Sequence, residues 1–68
     1  MEMLKISLAA ARVNAGLTQK ELADKCLVSE STVVSWEAGK TLPNAKKLSL
    51  LEQALGLSLN YVRFERRT

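Results

Sequence analysis

Histidine is absent from the 68-residue chain, and cysteine occurs once, as Cys26. A lone cysteine cannot form a disulfide within the chain, and structural zinc needs about four cysteine or histidine ligands, so we expect neither kind of cross-link. Histidine is also the commonest general base, and the carboxylates do not gather on one helix face. The sequence therefore predicts no metal site, no cofactor and no enzyme active site, and Cys26 is expected in the core.

Long apolar runs are also lacking. No stretch approaches the roughly 18 consecutive apolar residues of a membrane-spanning helix. The segment from Met1 to Ala11 does not have the pattern of a secretion signal. We therefore expect a cytoplasmic protein that makes no contact with a membrane.

Proline occurs once and glycine three times, and no segment alternates apolar and polar residues as a half-buried strand does. Hydrophobic residues make up 47% of the chain and recur at helical spacing. This pattern predicts an all-α fold. Because a chain of 68 residues has enough apolar material for one core, residues 1–68 are expected to form one domain.

Start and stop signals divide the chain into five predicted helices. Thr18 and Glu21 have the spacing of a capping box, Ser29 is a good N-cap, and each glycine follows a predicted helix. The helices run from about Leu4 to Asn14, from Thr18 to Lys25, from Glu30 to Ala38, from Pro43-Asn44 to Leu55, and briefly after Ser58 with Leu59, Val62 and Phe64. The expected architecture is a compact five-helix bundle.

The predicted core takes one apolar row from each of several helices. The rows are Leu4, Leu8, Ala11 and Ala15; Leu22, Ala23 and Cys26; and Leu48, Leu51 and Leu55. Trp36 is expected to fill the space between the third, first and fourth helices. Packing of these rows must supply the stability of so short a chain.

The third predicted helix has two unlike faces. At 100° per residue, its large groups Val33 and Trp36 fall on one side, with Thr32 and Glu37. The other side carries short or polar side chains, namely Glu30, Ser31, Val34, Ser35 and Ala38. Such a face suits the major groove of DNA, where side chains must reach base edges, but it is also typical of an ordinary solvated helix.

Positive charge is concentrated late in the chain. Residues 40–68 contain six basic and two acidic side chains, a net charge of +4. Residues 1–39 contain four basic and five acidic side chains, a net charge of −1. Lys46 and Lys47 fall in the first turn of the fourth helix, where the helix dipole disfavours cations. These lysines either bind phosphates together with Lys40 or are ordinary solvated side chains that keep the protein soluble.

Residues 16–40 read GLTQKELADKCLVSESTVVSWEAGK, and matching positions continue through Pro43, Leu48, Leu51 and the segment ALGLSL at 54–59. This sequence resembles the helix-turn-helix family of phage repressor and Cro proteins, also called lambda-repressor-like domains. The resemblance implies that the third helix lies in the major groove of double-stranded operator DNA. It also implies a transcriptional regulator, in particular a repressor of phage or bacterial origin that works at the nucleoid.

The resemblance assigns roles to individual residues. Arg12 and Glu37 match a structural salt bridge between the first and third helices. The implied base-reading residues are Glu30, Ser31, Val34 and Ser35, and the candidate phosphate-binding residues are Gln19, Lys20, Lys40, Lys46 and Lys47. Leu27 departs from the pattern, because it occupies the place of the usual turn glycine and could be strained there.

The C-terminal segment leaves two interpretations open. Tyr61, Val62 and Phe64 are either part of a frayed tail or a contact in a homodimer that sets two recognition helices about 34–36 Å apart. The same exposed apolar residues also suit a different function. The domain would then be an antitoxin-like or anti-repressor module that binds another protein.

Overall fold

A computed structural model describes residues 5–64, which form four α-helices, one 3₁₀ turn and two very short strands. The helices are α1 (Leu8–Asn14), α2 (Gln19–Cys26), α3 (Glu30–Ala38) and α4 (Ala45–Leu55). The strands are β1 (Ile6–Ser7) and β2 (Val62–Arg63), and the 3₁₀ turn is Leu59–Tyr61. The longest of these helices has 11 residues, and no helix within residues 5–64 is long and apolar enough to cross a membrane.

The mostly helical fold is confirmed, but the prediction of an all-α five-helix bundle is wrong. β1 and β2 pair in parallel, with Ile6 opposite Val62 and Ser7 opposite Arg63. The expected fifth helix is a single 3₁₀ turn, after which the backbone becomes extended at Val62. The two strands satisfy each other's backbone groups at the point where the two ends of the fold meet.

The first helix begins later than predicted. Ser7 is its N-cap, and the Ser7 hydroxyl accepts a hydrogen bond from the Ala10 N–H at 3.1 Å. Ala15 is the exposed C-cap of this helix rather than a core residue. Leu4, which was expected to begin the apolar row, lies outside the described residues.

Side-chain caps fix the starts of the other three helices, and the caps at Thr18 and Ser29 are those that the sequence predicts. The Thr18 hydroxyl accepts from the Glu21 N–H at 3.0 Å while Glu21 Oε1 accepts from the Thr18 N–H at 2.9 Å, which completes the capping box. Ser29 caps α3, and Asn44 caps α4. Each such cap is worth about 1 kcal/mol.

The core lies where α2 packs against both α3 and α4. Leu22 of α2, Val33 of α3 and Leu51 of α4 are fully buried, and Cys26 and Trp36 join them as predicted. The other buried apolar side chains are Leu8, Ala11, Ala23, Leu55 and Val62. Burying a leucine or valine contributes roughly 1.5–3 kcal/mol, so this cluster holds the helices together.

The turn between α2 and α3 depends on an unusual backbone conformation at Leu27. Its φ of 59° and ψ of 42° are left-handed, and no other non-glycine residue within residues 5–64 has a positive φ. The conformation lets the Val28 N–H donate to the Ala23 carbonyl at 3.0 Å, which closes the end of α2. The Leu27 side chain is 73% exposed, so packing does not compensate for a strain of about 1 kcal/mol.

Candidate nucleic-acid interface

Glu37, near the end of α3, is held by side chains from two other helices. Its Oε2 accepts from Arg12 Nε of α1 at 2.7 Å, and its Oε1 accepts from Gln19 Nε2 of α2 at 3.0 Å. Arg12 Nη1 also donates to the Leu17 carbonyl at 2.8 Å. The Arg12 and Glu37 side chains are only 15% and 9% exposed, so water screens this pair weakly. The network fixes the position of α3 relative to α1 and to the start of α2.

The side of α3 that faces away from the core carries the predicted base-reading residues. Glu30 and Ser31 are exposed, Val34 is 43% exposed, and Ser35 is half-buried. On the opposite side, Val33 and Trp36 are buried. The exposed side therefore carries no aromatic or long apolar side chain, so another molecule can approach the helix closely.

Hydroxyl groups cluster at the start of α3. Ser29 Oγ lies 3.0 Å from Ser31 Oγ and 3.0 Å from Thr32 Oγ1. All three residues lie at or near the surface. Hydroxyls can act as donors or acceptors, so this cluster can reorient toward a polar partner.

The candidate phosphate-binding residues do not form one cluster. Gln19 and Lys20 begin α2, where Lys20 Nζ lies 3.7 Å from Asp24 Oδ1. Lys47 Nζ lies 3.5 Å from the Leu27 carbonyl, at the turn before α3, whereas Lys40 follows the other end of α3. Lys40 and Lys47 therefore flank α3. Lys40 and Lys46 are both exposed.

The position of Lys47 also explains a feature that the sequence left unaccounted for. A lysine in the first turn of α4 is unfavourable for α4 itself, but its ammonium reaches the carbonyl end of α2. That end carries partial negative charge, so Lys47 stabilises α2 from its position in the first turn of α4. The interaction joins residues 20 positions apart, and helical spacing gave no sign of it.

The charge of the α2–α3 unit is not positive. Residues 18–40 contain three lysines and four carboxylates, a net charge of −1. The backbone hydrogen bond from Thr18 holds the pKa of the Glu21 carboxyl below its usual range, which keeps that residue ionised. Attraction to a polyanion must therefore come from lysines next to the unit, such as Lys46 and Lys47, more than from the unit as a whole.

The structure separates the three residues of the expected dimer contact. Tyr61 is 44% exposed, and Phe64 is partly buried against the core. Val62 is only 3% exposed, because it packs into the core beside its strand partner Ile6, so it offers little surface to a second copy of the domain. Of these three residues, Tyr61 therefore has the side chain most available for an apolar contact with another molecule.

Comparison with known proteins agrees with this geometry. A family model described as helix-turn-helix matches residues 8–62, from the start of α1 to β2. The chain is 42% identical over 48 residues to an endothelial differentiation-related factor 1 homolog from Danio rerio. It is 45% identical over 49 residues to multiprotein-bridging factor 1 from Candida albicans and 39% identical over 56 residues to multiprotein-bridging factor 1a from Arabidopsis thaliana.

These matches cover most of this chain but a minor part of each relative. They include 71%, 72% and 82% of this chain, and 33%, 32% and 39% of the respective relatives. The chain thus spans about a third of the length of the relatives it matches. All three are eukaryotic, unlike the phage or bacterial origin that the resemblance to repressors implied. With the family model covering nearly all of the described fold, the chain belongs to the helix-turn-helix family.

Proposed function

We propose that the domain binds double-stranded DNA sequence-specifically, with α3 in the major groove, and thereby regulates transcription. The observation that supports this most is an exposed α3 face without aromatic or long apolar side chains, together with the Arg12, Gln19 and Glu37 network that fixes the helix. The major groove is about 12 Å wide and admits one helix whose outward side chains are short. The proposed role is binding, not catalysis.

Phosphate contacts would orient the domain on the duplex. In this proposal Gln19 and Lys20 approach one backbone segment from the start of α2, while Lys40, Lys46 and Lys47 approach phosphates beside α3. Because Gln19 Nε2 already donates to Glu37, a phosphate would share a side chain that is held in place before binding. Repression of an operator, and pairing of two copies near Tyr61, are the regulatory form we propose by analogy with repressors of the family.

The experiment that tests the proposal compares two substitutions of equal charge. Ser31→Glu adds a carboxylate to the exposed face of α3, and Ser49→Glu adds one to an exposed position of α4. Binding of each variant to labelled duplex DNA is measured by fluorescence anisotropy at several salt concentrations. We expect Ser31→Glu to weaken binding at least about ten-fold and Ser49→Glu to have little effect.

Salt provides the second readout of that experiment. The logarithm of the association constant should fall with the logarithm of salt concentration, with a slope of about −0.9 per neutralised phosphate. Equal losses of affinity in the two serine variants would mean that α3 is not the DNA-binding face. An association that does not depend on salt would contradict phosphate contact altogether.

A second candidate function is the binding of another protein. Two observations favour it: the α2–α3 unit has a net charge of −1, and large apolar side chains are exposed at Val13 (65%) and Tyr61 (44%). Two relatives are named multiprotein-bridging factors, a name that describes the joining of proteins. An antitoxin-like or anti-repressor module would use such a surface.

Substitutions on the two surfaces distinguish these functions. A protein partner captured by the purified domain should remain bound in high salt. Its capture should be lost in Tyr61→Ala and kept in Ser35→Ala. Capture that survives Tyr61→Ala would contradict protein binding through Tyr61. Loss of DNA binding in Ser35→Ala, with DNA binding retained in Tyr61→Ala, would support DNA binding as the main function.

A further inference from the structure

Glu30 is the one charged side chain on the exposed face of α3. Glu30 is the first residue of the helix, and its carboxylate makes no hydrogen bond or ion pair with any residue in the described range 5–64. The adjacent Ser31 hydroxyl, by contrast, already lies 3.0 Å from Ser29 Oγ. The Glu30 carboxylate is therefore available to a bound molecule.

A free carboxylate at this position has a consequence when α3 approaches DNA. The phosphates on both sides of the groove repel it, so it weakens binding unless a base edge donates hydrogen bonds to it. In the major groove, guanine and thymine present acceptor atoms, and adenine presents an acceptor beside its donor. Cytosine presents the N4 amino group, so it is the base that best satisfies a carboxylate.

Val34 lies one helical turn after Glu30 and on the same side of α3. It is 43% exposed, although valine is well suited to a core. Four residues of helix rise about 6 Å, so a helix that lies along the major groove presents Glu30 and Val34 to different base pairs of the same half-site. An apolar side chain in the major groove has one strong partner among the bases, the methyl group of thymine.

We propose that Glu30 selects a cytosine in the bound half-site and that Val34 selects a thymine at a nearby position of the same half-site. This inference rests on the proposed function, since it requires α3 to enter the major groove. Glu30 acts mainly by rejection, because its charge lowers the affinity for every sequence that lacks the cytosine. The ligand class is thus a duplex in which cytosine and thymine lie within one half-site.

The test is selection of bound sequences from a random duplex pool by the wild type and three variants. In Glu30→Gln the charge is removed, and glutamine pairs well with adenine N6 and N7. We expect the enrichment of cytosine over adenine at one position to fall about ten-fold or more. Val34→Ala should weaken the thymine preference at the nearby position by several-fold.

Asp24→Asn is the matched control, because it removes the same charge from an exposed site on α2. It should raise overall affinity as Glu30→Gln does, while the preferred bases stay the same. Melting temperatures of all variants confirm that each is folded at the selection temperature.

The outcomes separate this inference from the function on which it rests. If the wild type enriches a sequence and Glu30→Gln enriches the same base at every position, base selection by Glu30 is overturned and DNA reading stands. If the wild type enriches no sequence at all, the proposed function is overturned, and the inference with it. A shift of the preferred base in Asp24→Asn would also overturn it, because the effect would then be one of general charge.

Discussion

The Arg12 guanidinium of α1 and the Glu37 carboxylate of α3 form a partly buried ion pair, with Nε and Oε2 2.7 Å apart. Gln19 of α2 donates to the same carboxylate. Three helices therefore meet at one side chain of the helix that we propose enters DNA. A substitution in this network would therefore shift the position of α3 without changing the side chains on its exposed face.

Removal of Arg12 should destabilise the whole domain. Arg12→Ala leaves the Glu37 carboxylate without its cation, and such a loss in a buried pair costs about 3–5 kcal/mol. For a domain of this size the melting temperature should fall by at least about 12 °C. Lys20→Ala is the control, since its pair with Asp24 is exposed and contributes less than about 1 kcal/mol. Wild-type melting of Arg12→Ala would contradict a structural role for the pair.

Leu27 should be replaceable by glycine with a gain in stability. Glycine adopts the left-handed conformation at φ 59° without the clash that a Cβ causes, and the lost side chain is mostly exposed. We expect Leu27→Gly to raise the free energy of unfolding by about 0.5–1 kcal/mol in urea titration. Ala15→Gly, at an exposed residue with φ −80°, should lower it by about 0.5–1 kcal/mol. Equal losses in both variants would show that Leu27 is not strained.

Cys26 should make stability fall at alkaline pH. Burial raises the pKa of its thiol, an effect that nearby Lys47 partly offsets. The unfolded thiol ionises near its ordinary pKa of about 8.5 while the folded thiol stays neutral. The stabilisation that the neutral, buried thiol contributes to the free energy of unfolding is complete below that pH. It is lost as pH rises toward the folded pKa. Urea titrations between about pH 7 and 9.5 should show a steeper loss for the wild type than for Cys26→Ala, and parallel losses would contradict burial of the thiol.

Glu21 should have the opposite pH dependence. Its pKa is lowered because the carboxylate accepts a hydrogen bond from the Thr18 N–H. The stabilisation that this ionised carboxylate contributes to the free energy of unfolding is therefore complete above the unfolded pKa, and it is lost as pH falls through the folded pKa. Glu21→Gln keeps an acceptor but does not titrate. Its melting temperature should fall less steeply than that of the wild type between about pH 5 and 3. If the two acid profiles coincide, the capping box does not contribute through this charge.

Features that depend on near neighbours could be predicted from the sequence. A cap needs a suitable oxygen three residues before an N–H, so Thr18 and Ser29 marked the starts of α2 and α3. The core rows of α2 and α4 followed from helical spacing in the same way, because one face of each helix is apolar over two or more turns.

Features that join distant parts of the chain could not be predicted in this way. The strand pair of Ile6 with Val62 is two residues long, which is too short for an alternating pattern to be recognised. Extended backbone at Val62 therefore replaced the expected helix. The contact of Lys47 with the Leu27 carbonyl depends on how the helices are packed, and spacing along one helix does not report this.

The most direct test of DNA binding through α3 is a titration of the isotope-labelled domain with duplex DNA at physiological salt, followed by the shifts of backbone amide signals. DNA binding through α3 predicts the largest shifts in residues 29–35 and at the start of α2, with smaller shifts near Lys40 and Lys47. Shifts concentrated around Val13 or Tyr61, with α3 unaffected, would contradict it and assign binding to another surface.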